Sequence, residues 1–205
     1  MLIYGVDKFT FHDVLEIIKH PQKAKLNKQA KDQITKSYKN VQSIIHSDKT
    51  VYGINTGFGP LCETKISDEE IAQLQHNLII SHAVGVGKPI SKSLSKIMMV
   101  TKIHALSKGF SGISLQVVER LMTMLEKDII PVVPEQGSVG AAGDLAPLSD
   151  LVLPLLGLGE VWKNDEPHAA GAVLEEHDLP PLMLGPKDGL ALINGPQFIL
   201  AHAIE

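Results

Sequence analysis

A glycine-rich stretch over residues 137–150 carries the residues best placed to do chemistry in this chain. Three glycines fall within its first seven residues, so the backbone there can bend where a side chain would clash. A β-leaning run over 129–134 precedes the stretch, and Asp144 opens an apolar segment of helical character. A strand, a glycine loop and a helix start could cradle a phosphate. However, the loop lacks a Gly-Lys-Ser/Thr ending, and Asp144 would repel an anion, so a phosphate site is the weaker interpretation.

The other chemistry of this loop is covalent. In a sufficiently tight turn, a glycine nitrogen can attack the carbonyl two residues before it and close a five-membered ring in the backbone. Gly140 and Gly143 bracket the turn that Ala141 and Ala142 would have to make. The loop therefore has the spacing that ring closure requires.

This loop resembles the prosthetic-group loop of the aromatic amino acid lyases, and most closely that of their histidine ammonia-lyase members. In that family an Ala-Ser-Gly triplet cyclises and dehydrates to methylidene-imidazolone, an electrophile made from the chain itself. The resemblance assigns Ala141, Ala142 and Gly143 as the precursor of this cofactor. Dehydration needs a hydroxyl on the β-carbon of the middle residue, and Ala142 has only a methyl group. We therefore expect that methylidene-imidazolone does not form here.

Three further segments carry the same resemblance. Tyr52 lies in Tyr-Gly-Ile-Asn-Thr-Gly-Phe-Gly, which matches the family loop whose tyrosine is the proposed base at the substrate β-carbon. His82 follows Ser81 before a glycine segment and matches the substrate-selecting position, which favours a polar aromatic ring and leaves imidazole and phenol open. Asn194 lies in Gly-Leu-Ala-Leu-Ile-Asn-Gly-Pro-Gln and matches an asparagine that contacts the prosthetic group or the substrate carboxylate. The resemblance thus implies a catalytic Tyr52 and substrate-binding His82 and Asn194.

Two further residues depart from the family pattern. Asp150 stands where the family usually has histidine, and Pro196 replaces a threonine and removes a backbone donor beside Asn194. Together with Ala142, these departures keep open a catalytically dead homologue with a binding or regulatory role.

The resemblance implies a mainly α protein with the helical lyase fold of the fumarase/aspartase-like kind, short strands and long active-site loops. The implied activity is the non-oxidative elimination of ammonia from L-histidine to give urocanate, inactive as written because of Ala142, with a tyrosine ammonia-lyase as the alternative. Family enzymes are homotetramers that act on small amino-acid substrates. Residues 1–205 correspond to their N-terminal lyase domain without the C-terminal helical part, and we expect a fragment of a longer family chain because residues 200–205 have the pattern of a helix interior.

Composition sets the remaining limits. Nineteen basic and twenty-three acidic residues give a net charge of −4, which predicts neither nucleic-acid nor membrane-surface binding. Cys62 is the single cysteine, so no disulfide framework exists and a cytoplasmic location is expected. The scattered histidines form no metal-ligand pair, so we expect no metal. No uncharged apolar window is long enough to span a bilayer.

Helical patterns cover most of the chain and must position these residues. Thr10 and Ser67 each precede an acid three residues on, which predicts capping boxes at two helix starts. The run 161–184 has little periodicity and predicts an extended excursion or a short hairpin. Helices are also predicted over 26–45, which is polar with sparse apolar contacts, over 91–106 and 113–125, and over 145–158, which is apolar nearly all round and broken at its prolines. A further apolar run over 190–204 is interrupted at Asn194-Gly195-Pro196.

Overall fold

The computed structural model describes residues 1–47, 50–57, 66–140 and 143–205, and these residues form a mainly helical fold. The fold class predicted from the sequence is therefore confirmed. Two short 3₁₀ turns, Pro21–Lys23 and Leu153–Leu156, accompany the helices. The helices are α1 (Phe11–Lys19), α2 (Lys28–Ile45), α3 (Asp68–His82), α4 (Lys92–Ser107), α5 (Leu115–Glu126), α6 (Leu145–Val152), α7 (Ala170–Glu176), α8 (Asp188–Ile193) and α9 (Gln197–Ile204). The strands are β1 (Leu2–Ile3), β2 (Ala24–Lys25), β3 (Val86–Pro89), β4 (Ile130–Pro131), β5 (Pro134–Gln136), β6 (Glu160–Lys163) and β7 (Glu166–Ala169).

Helix α4 runs through the centre of the larger hydrophobic cluster. Four consecutive residues, 97–100, have no exposed surface, so the helix is covered on every side, and α1, α2, α5 and α9 pack against it. Ser91 caps its N-terminus by accepting a hydrogen bond from Leu94 N at 3.0 Å. No helix in the described ranges combines the length and the apolar character that crossing a membrane requires.

The short strands connect segments that are distant in the sequence. β3 pairs antiparallel with β5, with Val86 opposite Gln136 and Pro89 opposite Pro134. This pairing holds the segment that follows α3 against the segment that leads into the glycine loop. β4, β6 and β7 form a three-stranded antiparallel sheet, and β1 pairs in parallel with β2.

The predicted helix starts differ in how their caps are made. At α1 the capping box forms as expected, because Thr10 accepts from Asp13 N and the Asp13 side chain accepts from Thr10 N. At α3 the helix begins after Ser67, but the Ser67 hydroxyl donates to the Glu70 carboxylate at 2.8 Å instead of accepting from the backbone. The predicted start is right, and the predicted capping box is wrong.

The second half of the chain follows its proline and turn signals. The 145–158 pattern divides into α6 and the 3₁₀ turn after it, and Pro154 stands at the break because proline has no N–H to continue the helix. The 161–184 run contains the predicted hairpin, β6–β7, with Asn164 and Asp165 at positive φ in its turn. It also contains α7, a seven-residue helix that the sequence did not reveal.

Candidate active site

The glycine loop makes a tight turn at the residues that flank its centre. Gly140 and Gly143 both have positive φ, +70° and +90°, and Gly143 N donates a hydrogen bond to Gly140 O at 2.8 Å. The two glycines that bracket the predicted bend therefore both have the backbone conformation of a turn. Ala141 and Ala142, the other two residues of the predicted precursor triplet, lie outside the described residues.

The buried carboxylate of Asp144 anchors this loop to α9. Oδ2 accepts hydrogen bonds from Phe198 N at 2.8 Å and Ile199 N at 3.1 Å, in the first turn of α9, and Oδ1 accepts from Ser138 Oγ at 2.7 Å. Asp144 directly precedes α6, yet its side chain makes no cap bond to that helix. It serves the N-terminus of α9 instead, where the unsatisfied N–H groups and the helix dipole favour a negative charge.

The backbone of the same loop contacts the Asn194-Gly195 turn. Asp144 N donates to Gly195 O at 3.1 Å, and a β-carbon added at Gly143 would lie 3.4 Å from that oxygen. The described amides of Gly143 and Asp144 are thus bonded within the protein. They do not point outward as a phosphate cradle requires, which argues against that interpretation of the loop.

Asn194 ends α8 and is exposed beside this loop. Its side-chain Nδ2 donates to Leu190 O at 2.8 Å, and its backbone oxygen accepts a 2.6 Å bond from the ammonium of Lys102. Leu190 N in turn donates to Gln75 Oε1 at 3.0 Å, which fastens α8 to α3. Hydrogen bonds therefore hold both the side chain and the backbone of Asn194 in place.

His82 is the last residue of α3 and is half-buried. Its Nδ1 lies 2.8 Å from Leu78 O, and because a carbonyl oxygen can only accept, Nδ1 carries the proton in this contact. In the tautomer that carries its proton on Nδ1, Nε2 is a hydrogen-bond acceptor. His82 is consequently prepared to accept a hydrogen bond from a ring N–H or a phenol O–H.

Asp150 connects α6 to the turn that follows His82. It is 8% exposed, and its Oδ2 accepts a hydrogen bond from Gly85 N at 3.1 Å. Burial raises the pKa of this carboxyl to about 6, and the Gly85 bond opposes the rise. Gly85 also lies beside Gly137, so Asp150, the His82 turn and the entry to the glycine loop are packed together.

Tyr52 lies on a segment with its own packing. Its side chain is 59% exposed, while Ile54 beside it is buried in a smaller hydrophobic cluster with α2 and α3 residues. Asn55 Oδ1 accepts from Val51 N at 2.8 Å and shapes this turn. The described contacts thus unite the segments of His82, Gly143 and Asn194, whereas the neighbours of Tyr52, Val51 and Ile54, pack in the smaller cluster. Residues 58 and 59 of the tyrosine loop, and Cys62, lie outside the described residues.

A family model for the aromatic amino acid lyases matches residues 9–205. The chain belongs to the aromatic amino acid lyase family. It is 42% identical over 195 residues to a histidine ammonia-lyase of Natranaerobius thermophilus, and 43% identical over 195 residues to one of Halalkalibacterium halodurans. Each alignment covers 95% of this chain and 38% of the relative, so the chain spans less than two fifths of the length of these relatives.

Solved structures of aromatic amino acid lyases and aminomutases share the fold. A histidine ammonia-lyase from Trypanosoma cruzi superposes with a TM-score of 0.89 at 35% identity, over 99% of this chain and 39% of that one. A tyrosine aminomutase from Streptomyces globisporus superposes with a TM-score of 0.91 at 29% identity, over 99% and 38%. The predicted family resemblance is confirmed.

The prosthetic group of the aromatic amino acid lyases fits this chain only in part. The family uses methylidene-imidazolone, and the two glycines that flank the triplet position, Gly140 and Gly143, have positive φ and are joined by a hydrogen bond. The methylidene carbon, however, is produced by loss of a β-hydroxyl, and Ala142 has none. The residues present therefore do not fit formation of the complete group.

Pro196 and Lys102 are the other residues whose roles only the structure defines. Pro196 directly precedes α9, at the cap position, where no intrahelical N–H bond is made, so proline is tolerated there. Lys102 was not identified from the sequence, although a charged residue inside the apolar pattern of α4 is itself an available signal.

Proposed function

We propose that this chain is part of a histidine ammonia-lyase-type enzyme. In that reaction L-histidine loses its α-amino group as ammonia and a proton from its β-carbon, so the Cα–N and Cβ–H bonds break and a Cα=Cβ bond forms, giving urocanate. The observation that supports this proposal most directly is the contact of the tight Gly140–Gly143 turn with Gly195, next to Asn194. The histidine ammonia-lyases that match this chain at 42% identity favour the same reaction.

The residues of this chain would supply recognition and proton transfer. His82 Nε2 would accept a hydrogen bond from the imidazole N–H of the substrate, since Nδ1 is already bonded to Leu78 O. Asn194 would bind the substrate carboxylate or the reactive group through its amide. Tyr52 would accept the β-proton, a general-base role that requires its phenol within hydrogen-bonding reach of that carbon.

We propose that the chain with Ala142 binds the amino acid without eliminating ammonia, because residue 142 has no hydroxyl from which the methylidene group could form. This second role, binding without turnover, rests on the same His82 and Asn194 geometry. A phenol accepts and donates the same hydrogen bond as an imidazole, so tyrosine is the alternative substrate. We further propose that the protein is cytoplasmic. A chain with the full length of these relatives would form a homotetramer.

The test is a pair of measurements. First, calorimetric titration of the chain with L-histidine and L-tyrosine should show tighter binding of histidine. Second, a fusion of this chain carrying Ala142→Ser to the remaining length of a matching relative should form urocanate from L-histidine, while the same fusion with Ala142 should not. Deamination of tyrosine with histidine ignored would overturn the assignment of substrate, and no product from either amino acid would overturn the assignment of activity.

A further inference from the structure

Lys102 is a buried lysine whose ammonium group has no counter-ion among the described residues. The side chain on α4 is 2% exposed, and in the described part of the chain its ammonium has one hydrogen-bond partner, Asn194 O at 2.6 Å. None of the ion pairs among these residues includes Lys102. Burial lowers its pKa to about 7. Buried ammonium groups are ordinarily paired, so an uncompensated one indicates that a charged partner is missing.

A cavity of about 190 Å³ adjoins this ammonium, between α4 and the start of α8. Lys187, Ser111, Asn194 and Gln197 supply its other polar walls, and none of its lining residues is acidic. Phe110 and Asn194 line it and are exposed, so the cavity is reached from the surface. Its volume exceeds that of several water molecules, at about 30 Å³ each, and suits a group of a few heavy atoms.

A second lysine faces the same cavity from an unusual backbone conformation. Lys187 has φ +67°, the left-handed region that non-glycine residues seldom adopt, and burial lowers its pKa. None of the ion pairs among the described residues includes Lys187, and the carboxylate of its neighbour Asp188 accepts from Ser114 N, Ser114 Oγ and Gly185 N. Lys187 directly precedes α8, so this conformation fixes the start of its side chain at the helix end beside the cavity.

Gln197 adds an independent sign of a missing partner. The side chain is 6% exposed, and its Oε1 is buried with no hydrogen-bond partner in the ranges that the structure describes. An amide can be turned over to present its NH₂ group in the same place, so this position can offer either an acceptor or a donor to a ligand. An orphaned buried polar atom is uncommon in folded proteins and requires an explanation.

We propose that this cavity binds a carboxylate. The carboxylate would lie between the Lys102 and Lys187 ammonium groups and accept further hydrogen bonds from Ser111 Oγ and the Gln197 amide. A carboxylate matches this lining because two lysine side chains, a hydroxyl and an amide can donate to its two oxygens, and none of the lining residues is acidic. It could come from a small free acid or from an acidic side chain of a second copy of this chain. The cavity shares Asn194 with the proposed active site, but Lys102 and Lys187, which would hold the carboxylate, are not among the residues assigned to the lyase reaction.

The test uses the 205-residue chain with its lysines labelled for NMR and acetate as the probe. At saturating acetate, the measured pKa of Lys102 should rise by about one unit or more, which corresponds to at least a tenfold preference of acetate for the protonated amine. Thermal unfolding should shift upward with acetate, saturably, and not with chloride at equal ionic strength. Lys102→Met should abolish the thermal response to acetate, and Lys187→Met should weaken acetate binding several-fold.

The matched control is Lys39→Met, which removes an exposed lysine of α2 and should leave the acetate response unchanged. Sedimentation with and without acetate separates the two sources of carboxylate: acetate that dissociates associated copies identifies a protein carboxylate, and an unchanged mass identifies a free acid. A Lys102 pKa that acetate does not move would overturn the proposal. So would an equal thermal response of Lys102→Met and the unmodified chain.

Discussion

The carboxylate of Asp144 and the backbone N–H of Phe198 form a buried 2.8 Å hydrogen bond between residues 54 positions apart. One side chain thereby fixes the end of the glycine loop to the start of α9. The Asn194-Gly195 turn lies between them in space, because Gly195 O accepts from Asp144 N. The geometry of the candidate site consequently depends on this anchor as much as on the residues expected to touch a substrate.

Asp144→Ala should destabilise the fold strongly. The substitution leaves three donors without their acceptor, Ser138 Oγ, Phe198 N and Ile199 N. Unsatisfied buried donors cost about 1–3 kcal/mol each, so we expect a loss of about 3 kcal/mol or more in the free energy of unfolding measured in urea. Ser138→Ala removes only one of these bonds and should cost about 1 kcal/mol. Equal losses in the two variants would show that Asp144 is not the anchor.

Asp150 should make stability depend on pH. Its pKa is raised to about 6 in the folded chain, against about 3.9 in the unfolded chain, so the folded state holds its proton more tightly. The protonated Asp150 carboxyl therefore contributes its full stabilisation of the folded state below about pH 4, and this contribution is lost as the pH rises through 6. Since one pKa unit corresponds to about 1.4 kcal/mol, the expected effect is on the order of 2–3 kcal/mol.

The measurement compares the unfolding free energies of the unmodified chain and Asp150→Asn from pH 4 to pH 7. An asparagine can still accept from Gly85 N but does not ionise, so the variant should gain stability relative to the unmodified chain as the pH rises. Asp188, whose pKa burial also raises to about 6, titrates in both proteins and cancels in the difference. Parallel curves would mean that Asp150 does not carry this pH dependence.

His82→Leu should reduce binding of L-histidine by about tenfold, which is about 1.4 kcal/mol and typical of one lost hydrogen bond to a substrate. The reason is that Nε2 of His82 is the acceptor which the Nδ1–Leu78 bond leaves available. His168→Leu changes an exposed histidine on β7 and is the control. Calorimetric titration of the two variants decides the matter, and equal affinities would remove His82 from the binding site.

Local signals predicted the elements of the fold well because they act within a few residues. The Thr10–Asp13 capping box and the break at Pro154 depend on neighbours in the sequence, and both are present. The short helix α7 escaped prediction because seven residues are too few to establish a helical period. At α3 the start was right, but a side-chain contact between Ser67 and Glu70 replaced the expected cap.

The site was predictable only where it follows from a motif. The tight turn at Gly140 and Gly143 and the helix break at Asn194 could be read from the glycines and the proline. The roles of Asp144 and Lys102 could not, because their partners lie 54 and 92 residues away and only folding brings them together. Asp150 was noted only as a departure from the family, and its bond to Gly85 is equally non-local.

Mass spectrometry of the intact Ala142→Ser chain tests the central claim most directly. If the turn is shaped for backbone ring closure and lacks only the hydroxyl, this variant should lose two water molecules. The unmodified chain should not lose two, because Ala142 has no hydroxyl to eliminate. Adding Gly143→Ala should prevent the loss, because a β-carbon at φ +90° strains the turn and lies 3.4 Å from Gly195 O. An Ala142→Ser chain that folds and keeps its full mass would contradict the account.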